Sequence, residues 1–414
     1  MKKSSLYAWY IFFAASLISL IGFSLCYNTL GLFFQPISMT FKISRTSVAL
    51  MSTFSGLAGA CTGLIAGKVM KKFNLRWLLT LAFAIIGLGF ISLNFAQSIF
   101  QFYIVFALVG ICATFGIALS IPILLGNWFK KGLGTVMGVA LSISAFGSTL
   151  FQPIIGNIIT NSGWRVAWLV EGAILLLLVP VCFFIKEKPG KNQKAFGEDE
   201  VSKSSVHKSN DETGMTLKEA LHSPIFYILI VGFICLYNVC NFIQHVSGHV
   251  VNIGLPLTVG AEVVSMIMLG AFFGKISIGF LFDKFKNQLV VLLYGIVGLI
   301  GWIGMFTQKT ATMLLISGFI CGLGQGLIMV GGPYLVRKVF GSKDYGNILA
   351  IVNTIGGFWG AIAVSLDGML FDLTKSYNLP IMINIIGYIV ATITIIISLD
   401  LAFKYAHTHH IVGA

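Results

Sequence analysis

Residues 186–219 read KEKPGKNQKAFGEDEVSKSSVHKSNDETGMTLKE, the one strongly hydrophilic stretch in the chain. Lys, Glu, Ser and Asn dominate it and Pro189-Gly190 interrupts it, a composition that stays solvated and predicts disorder. What flanks it decides the fold. Six long apolar runs precede it, at about 7–32, 47–67, 77–96, 100–127, 133–160 and 165–185, and six follow, at about 222–250, 259–282, 288–307, 311–336, 346–371 and 378–403. As a helix rising about 1.5 Å per residue, each run crosses about 30 Å of hydrocarbon. The expected architecture is an all-α membrane protein: a six-helix bundle in residues 1–185, a cytoplasmic linker at 186–221 and a second six-helix bundle in 222–414.

Composition agrees with this reading. The 414-residue chain is 57% hydrophobic and only 10% charged, whereas a soluble domain carries about 25% charged residues. It has too little polar surface for an ordinary soluble enzyme. The net charge of +13 would suggest nucleic acid in a soluble protein, but here the position of each base decides. With the N-terminus in the cytoplasm, same-side loops collect 21 of the 27 Lys and Arg, the linker lysines included. The opposite side has Lys42, Arg45, Arg165, Lys309 and Lys375. The positive-inside rule therefore places both termini and the linker in the cytoplasm of a multi-pass cell-membrane protein, and no nucleic-acid partner is needed. Met1-Lys2-Lys3 opens like a secretory signal, but the apolar run continues to about Pro36 without a small-residue cleavage site, which predicts an uncleaved first helix. All seven cysteines fall inside apolar runs without CxxC spacing and read as buried small residues rather than disulfides or metal ligands.

The halves echo each other at an offset near 212. Gly134, Phe146 and Gly156 fall opposite Gly346, Phe358 and Gly368, and Pro122 and Phe129 fall opposite Pro333 and Phe340 at 211. Duplicated, pseudo-symmetric halves are how transporters with a midplane site are built. Glycines recur at small-xxx-small spacing, as in Gly59, Gly63 and Gly67 or Gly318, Gly322 and Gly326, which permits close helix approach. No phosphate loop, dinucleotide fingerprint or Ser/His/Asp order occurs, so no cofactor and no enzyme is expected.

A basic turn closes the second helix of each half: Gly279-Phe-Leu-Phe-Asp283-Lys284-Phe-Lys286, and Gly63-Leu-Ile-Ala-Gly67-Lys68-Val-Met-Lys71-Lys72. The C-terminal copy resembles the loop signature of the major facilitator superfamily, whose Asp latches a cytoplasmic gate. The resemblance implies a gating role for Asp283 and Lys284. The N-terminal copy has Gly67 where that alignment expects the Asp. Gly31-Leu-Phe33-Phe34-Gln-Pro36, Asn127-Trp128-Phe129-Lys130-Lys131-Gly132 and Gly163-Trp164-Arg165 resemble segments of the monocarboxylate transporters and the oxalate/formate antiporters. The likeness extends over most of the chain and implies the twelve-helix major facilitator fold.

Lys275 is the most informative residue. A charge at the centre of a membrane helix costs about 2.5–3.5 kcal/mol on insertion scales and marks a functional site by default. It lies eight residues before Asp283, about 12 Å along the helix and near the midplane. In the families it resembles, that position usually holds an Arg that binds the substrate carboxylate, and Lys offers a point charge instead of a fork. The oxalate/formate pattern has a second base in helix eleven. The run Tyr345 to Thr354 has none here, which suits a monocarboxylate better than a dianion. The alternative is a lysine that snorkels to the interface or pairs with an acid.

Helix seven carries Tyr237, Asn238, Asn241, Gln244, His245 and His249. Asn238, Asn241 and His245 step by three and four and share a face expected to line a cavity. His245 is a candidate proton-sensitive gate, with ordinary interhelical hydrogen bonding the alternative. His249 is expected at the outer interface, no metal is expected at the pair, and His407, His409 and His410 read as a solvated tail. Tyr27, Asn28, Thr114, Gln325 and Asn353 complete the candidate binding set, each equally open to a packing role. Asp367 is expected at the outer interface.

The expected function is secondary transport of a small organic anion, a monocarboxylate, by alternating access, with proton symport or anion exchange. The expected partners are that anion, protons or a counter-anion, and the lipid bilayer, with the monomer as the working unit. The alternatives are a same-fold transporter of another solute, with Lys275 as a gating or coupling charge, and a non-transporting membrane receptor.

Overall fold

The computed structural model describes residues 3–189, 195–196 and 214–408. The linker lysines Lys191, Lys194, Lys203 and Lys208 and the tail residues His409 and His410 lie outside the described residues. Among the described residues, twelve helices are long and apolar enough to cross a membrane. In chain order they are α1 (Leu6–Phe41), α2 (Arg45–Lys72), α3 (Leu75–Phe95), α4 (Ile99–Trp128), α5 (Leu133–Ser162) and α6 (Trp164–Phe183). After the linker come α7 (Pro224–Asn241), α8 (Leu257–Lys284), α9 (Asn287–Thr307), α10 (Ala311–Phe340), α11 (Tyr345–Thr374) and α12 (Asn378–Thr408). No strand occurs among the described residues, only two isolated bridges. The chain separates into two compact units, Met1–Lys208 and Ser209–Ala414, so the division falls inside the linker.

Local signals explain many of the ends. Ser44 caps α2 by accepting from the Ser47 amide (3.1 Å), Asn74 caps α3, and Ser98 with Gln101 forms a reciprocal capping box on α4. Pro224 opens α7 at a position where its missing amide hydrogen costs nothing. Gly163 and Gly341 carry positive φ (85° and 82°) where the chain turns into α6 and leaves α10.

The duplication is written in the element bounds. α2 and α8 begin and end 212 residues apart, and so do α3 and α9, α4 and α10, and α5 and α11. The tightest packing repeats at the same offset. A Cβ on Gly110 would overlap the carbonyl oxygen of Ser55, and a Cβ on Gly322 would overlap that of Ile267, so α4 crosses α2 as α10 crosses α8. The first and fourth helix of each half is irregular. α1 winds into wide π turns over Ile18–Asn28, and α4 does so over Thr114–Leu119. α7 breaks at Phe242 before continuing as Ile243–Asn252, and α10 breaks at Gln325. Irregular backbone at membrane depth is tolerated where protein or a cavity covers it.

The described ends of the linker are anchored, which corrects the expectation of disorder for those residues. Phe196 donates to the Trp128 carbonyl (2.8 Å) and its ring packs on Phe129 and Trp9. Met215 donates to the Phe340 carbonyl (2.8 Å), the same position 212 residues on. Thr216 and Glu219 then form a capping box at the start of Leu217–His222, and the Thr216 amide hydrogen bond holds the Glu219 carboxyl below its usual range.

Replacing Gly110 or Gly322 by Ala should lower the thermal midpoint of the purified protein, because forced overpacking costs about 1–3 kcal/mol. Gly63 and Gly279 have no atom within 4 Å of an added Cβ, so Ala there should be neutral or slightly stabilising. Thermal unfolding of the four variants checks this.

Candidate substrate site

Lys275 sits immediately past the α8–α10 crossing. Gly270 and Gly274 of α8 meet α10 backbone to backbone. A Cβ on Gly270 would lie 3.0 Å from Gly322 Cα, one on Gly326 would lie 2.5 Å from the Gly274 carbonyl oxygen, and one on Gly274 would overlap the Leu323 carbonyl. This contact brings the break in α10, and with it Gln325, against the turn of α8 that carries Lys275. Lys275 is half-buried, and within its own half its ammonium makes no ion pair and no hydrogen bond among the described residues. The titratable group facing it is the Cys240 thiol of α7. Two residues on, Ser277 bonds the Tyr294 hydroxyl (2.7 Å), which ties α8 to α9. Gln325 is buried, and its side-chain amide has no hydrogen bond among the described residues.

The polar series of α7 divides between two packing partners: Tyr237, Asn241 and His245 meet α11 and Asn238 meets α12, so the face expected from Asn238, Asn241 and His245 is split. Tyr237 lies over Gly356 of α11 and bonds Asn353 (3.2 Å), Asn241 lies against Gly360, and the His245 Nε2 meets the Val364 carbonyl (2.8 Å). Asn241 also donates to the Tyr237 carbonyl (2.8 Å), and Asn238 donates to Asn384 of α12 (3.0 Å). His245 is 1% exposed, with the Tyr377 hydroxyl 3.5 Å from its Nδ1. Small residues on α11 let the polar side chains of α7 lie flat, so the seam between helices absorbs them. Asn353 itself is exposed within its half.

Two residues expected at the outer interface are covered by protein. His249 is 2% exposed and bonds the Met305 carbonyl (3.0 Å), because α7 continues past Phe242 and buries a further turn. Asp367 is 3% exposed, covered by protein although it lies only about two turns from the end of α11. Among the described residues no group of three metal-ligating side chains forms.

In the N-terminal half the candidates also serve packing. Asn28 donates to Ser148 of α5 (2.7 Å) and its carbonyl accepts from Gln152 (2.5 Å), next to a Ser24–Ser144–Ser148 seam. The Thr114 hydroxyl bonds Gly110 (2.9 Å) and Gly59 (3.2 Å) across the α2–α4 crossing. Tyr27 is half-buried against Phe23, at the end of the wide-turned stretch. At the 212 offset the counterpart of Lys275 is Gly63, so the charge belongs to one half alone.

That offset also corrects the register of the N-terminal basic turn. Because α2 and α8 end together, Gly67 matches Gly279 and Lys71 matches Asp283. Asp283 is exposed beside Tyr334 and makes no ion pair among the described residues of its half, and Lys284 lies 4.2 Å from the centre of the Phe280 ring.

Sequence reasoning missed Asn384 and Tyr388, one turn apart on α12. Asn384 is fully buried with its amide nitrogen unpartnered, and Tyr388 fills a slot between Gly298 and Gly324. Two polar residues four apart in an apolar run were the available signal.

Known proteins point the same way. The profile described as Major Facilitator Superfamily matches residues 12–364 and 243–408. The chain belongs to the major facilitator superfamily. Within it, the chain is 23% identical over 334 residues to the uncharacterized transporter YhjX of Escherichia coli, covering 77% of this chain and 79% of that one. It is 21% identical to the membrane sensor protein UhpC of Salmonella typhimurium (79% and 76% covered) and 24% identical to mouse monocarboxylate transporter 12 (70% and 64% covered). A bacterial homologue of the human lysosomal transporter Spinster superposes with a TM-score of 0.69 at 15% identity, over 97% of this chain and 96% of that one. The superfamily fold is therefore shown, and the chain is a multi-pass membrane protein of a transporter family.

The Asn238–Asn384 bond allows a test by double substitution. Asn238→Ala should destabilise the protein by about 1–3 kcal/mol, the cost of leaving a buried amide unpaired. Asn238→Leu with Asn384→Leu should recover much of the loss, read as thermal midpoints in a double-mutant cycle.

Proposed function

We propose that this superfamily member is a secondary transporter of small organic anions, with monocarboxylates as the substrate class and Lys275 as the residue that attracts the carboxylate. One observation carries the reading: a lysine about eight residues deep in an apolar helix has no counter-charge among the described residues of its half. A buried charge without a partner is costly, and an anionic ligand that supplies the missing charge offsets that cost. The likeness to a monocarboxylate transporter supports the class. The absence of a second base in α11 favours one carboxylate over two.

Transport in this reading proceeds by alternating access, driven by a proton gradient or by exchange for a second anion. Both termini lie on the cytoplasmic side of the cell membrane in this reading, which the distribution of basic loop residues supports. Asp283 and Lys284 act at the cytoplasmic gate, and a monomer suffices. A second reading has its own observation: the relative UhpC is named a membrane sensor, so a chain of this fold that binds its anion without moving it is the competitor.

Uptake of radiolabelled lactate, formate and oxalate into proteoliposomes, with and without a pH gradient, separates the two. The transporter reading predicts accumulation of a monocarboxylate over oxalate. Lys275→Gln should lower the uptake efficiency about 10–100-fold, as loss of a charged hydrogen bond of about 1.5–3 kcal/mol requires. Full uptake by Lys275→Gln at unchanged apparent affinity would refute the binding role, and binding without uptake would favour the sensor.

A further inference from the structure

Glu171 of α6 is an acid in the apolar part of the chain to which nothing above gives a role. Its carboxyl is 0% exposed and neither oxygen has a hydrogen-bond partner among the described residues. Its neighbours fix where it points. Gly172 packs on the backbone of α3, where an added Cβ would lie 2.6 Å from the Gly87 carbonyl oxygen and 2.9 Å from the Ile91 nitrogen. One turn earlier, Trp168 stacks on Phe33 of α1 with ring centres 3.8 Å apart. Residues 168 and 171 share a helix face, and Glu171 accordingly lies beside Cys26 and Thr29 of α1. The Thr29 hydroxyl donates to the Leu25 carbonyl (3.2 Å) and lies close enough to the Glu171 carboxyl to interact with it. The Trp168 indole N–H on the same face is also buried without a partner.

The wall facing Glu171 is the part of α1 that winds into wide turns, Ile18–Asn28, ending at Tyr27 and Asn28. Such turns within helices gather at functional sites. The titratable groups on this side are Cys26 of α1 and, behind it, Cys112 of α4. α5 contributes none, α3 only Arg76 at its linker end, and Arg165, six residues before Glu171 on α6, turns instead to the Ala96 carbonyl, to which it donates (3.2 Å). Among the described residues of this half, no base therefore offers Glu171 a counter-charge. A carboxylic acid carrying its proton is neutral and fits this seat, whereas a carboxylate would be an uncompensated charge. The packing of α1 against α6 thus discriminates between the two forms.

We propose that Glu171 is a proton-binding site of the transport cycle: the carboxyl holds a proton while α1 is packed on it and exchanges that proton with water when the wide turn of α1 moves away. This rests on the transporter reading and names the residue that would couple it to a proton gradient. It differs from the carboxylate seat at Lys275, which lies in the other half.

Infrared difference spectra of the purified protein test proton binding without any substrate. The unaltered protein should show a protonated-carboxyl stretch that loses intensity as pH rises, that Glu171→Gln removes and that Glu171→Asp shifts. A spectrum unaffected by Glu171→Gln would overturn the proposal, whether or not any carboxylate is carried. In proteoliposomes, Glu171→Gln should lose the stimulation of lactate accumulation by an inward proton gradient while lactate–lactate exchange at equal pH persists, and Glu171→Asp should restore the stimulation with a displaced pH profile. Stimulation by the gradient in Glu171→Gln equal to that of the unaltered protein would also overturn it. If Glu171→Gln does not reach the membrane, the pH profile of Glu171→Asp decides, an undisplaced profile being contrary. Absence of lactate exchange in the unaltered protein would refute the anion reading alone, and the infrared result would still decide the proton site.

Discussion

Backbone-to-backbone contact between α8 and α10, through Gly270, Gly274, Gly322 and Gly326, is the constraint on which the C-terminal half depends. Lipid tails are as apolar as leucine, so helices in a bilayer gain little by hiding apolar side chains from one another. What holds them is close approach, and close approach needs positions without a Cβ. Here the four glycines bring two helices together at one level, and Lys275 is the next residue of α8 after that contact. The same contact sets the broken turn of α10 at Gln325 beside it. Tyr388 then enters from α12 into the slot that Gly298 and Gly324 leave open.

Duplication supplies the frame and divergence supplies the chemistry. α2 crosses α4 through Ser55, Gly59, Gly110 and Thr114 as α8 crosses α10, with matching helix bounds 212 residues apart. In the N-terminal crossing a hydroxyl, Thr114, stands where the other half has Gly326, and Gly63 stands where the other half has Lys275. One ancestral packing unit thus carries a charge in one copy and none in the other. Irregular turns recur on the first and fourth helix of both halves, where departures from a straight helix free backbone groups and loosen the ladder.

Much of the fold was legible in the chain. The hydrophilic stretch 186–219 and the twelve apolar runs locate all twelve spans, although α1 runs nine residues past its apolar run to Phe41, and glycine spacing marks the crossings. Lys275 stood out because charge in such a chain is rare. The uses of the neutral polar residues were not legible, since each depends on a partner far along the sequence. Asn28 meets Ser148, 120 residues away, and His245 meets Val364, 119 residues away. Asn, Thr and His serve equally well as packing bonds or ligand contacts, and only the partner decides. The N-terminal basic turn was misaligned for a related reason: matching Gly to Gly by motif ignored where the helices end. The seat of Glu171 was not legible either, because burial by α1 cannot be read from α6.

The account stands or falls on Lys275 as the seat of an organic anion. Calorimetric titration of the purified, detergent-solubilised protein with lactate measures this directly. The account predicts saturable binding that weakens about 10–100-fold in Lys275→Gln, as expected for a lost charged contact, and is largely kept in Lys275→Arg. Equal lactate affinity in the unaltered protein and Lys275→Gln would contradict it.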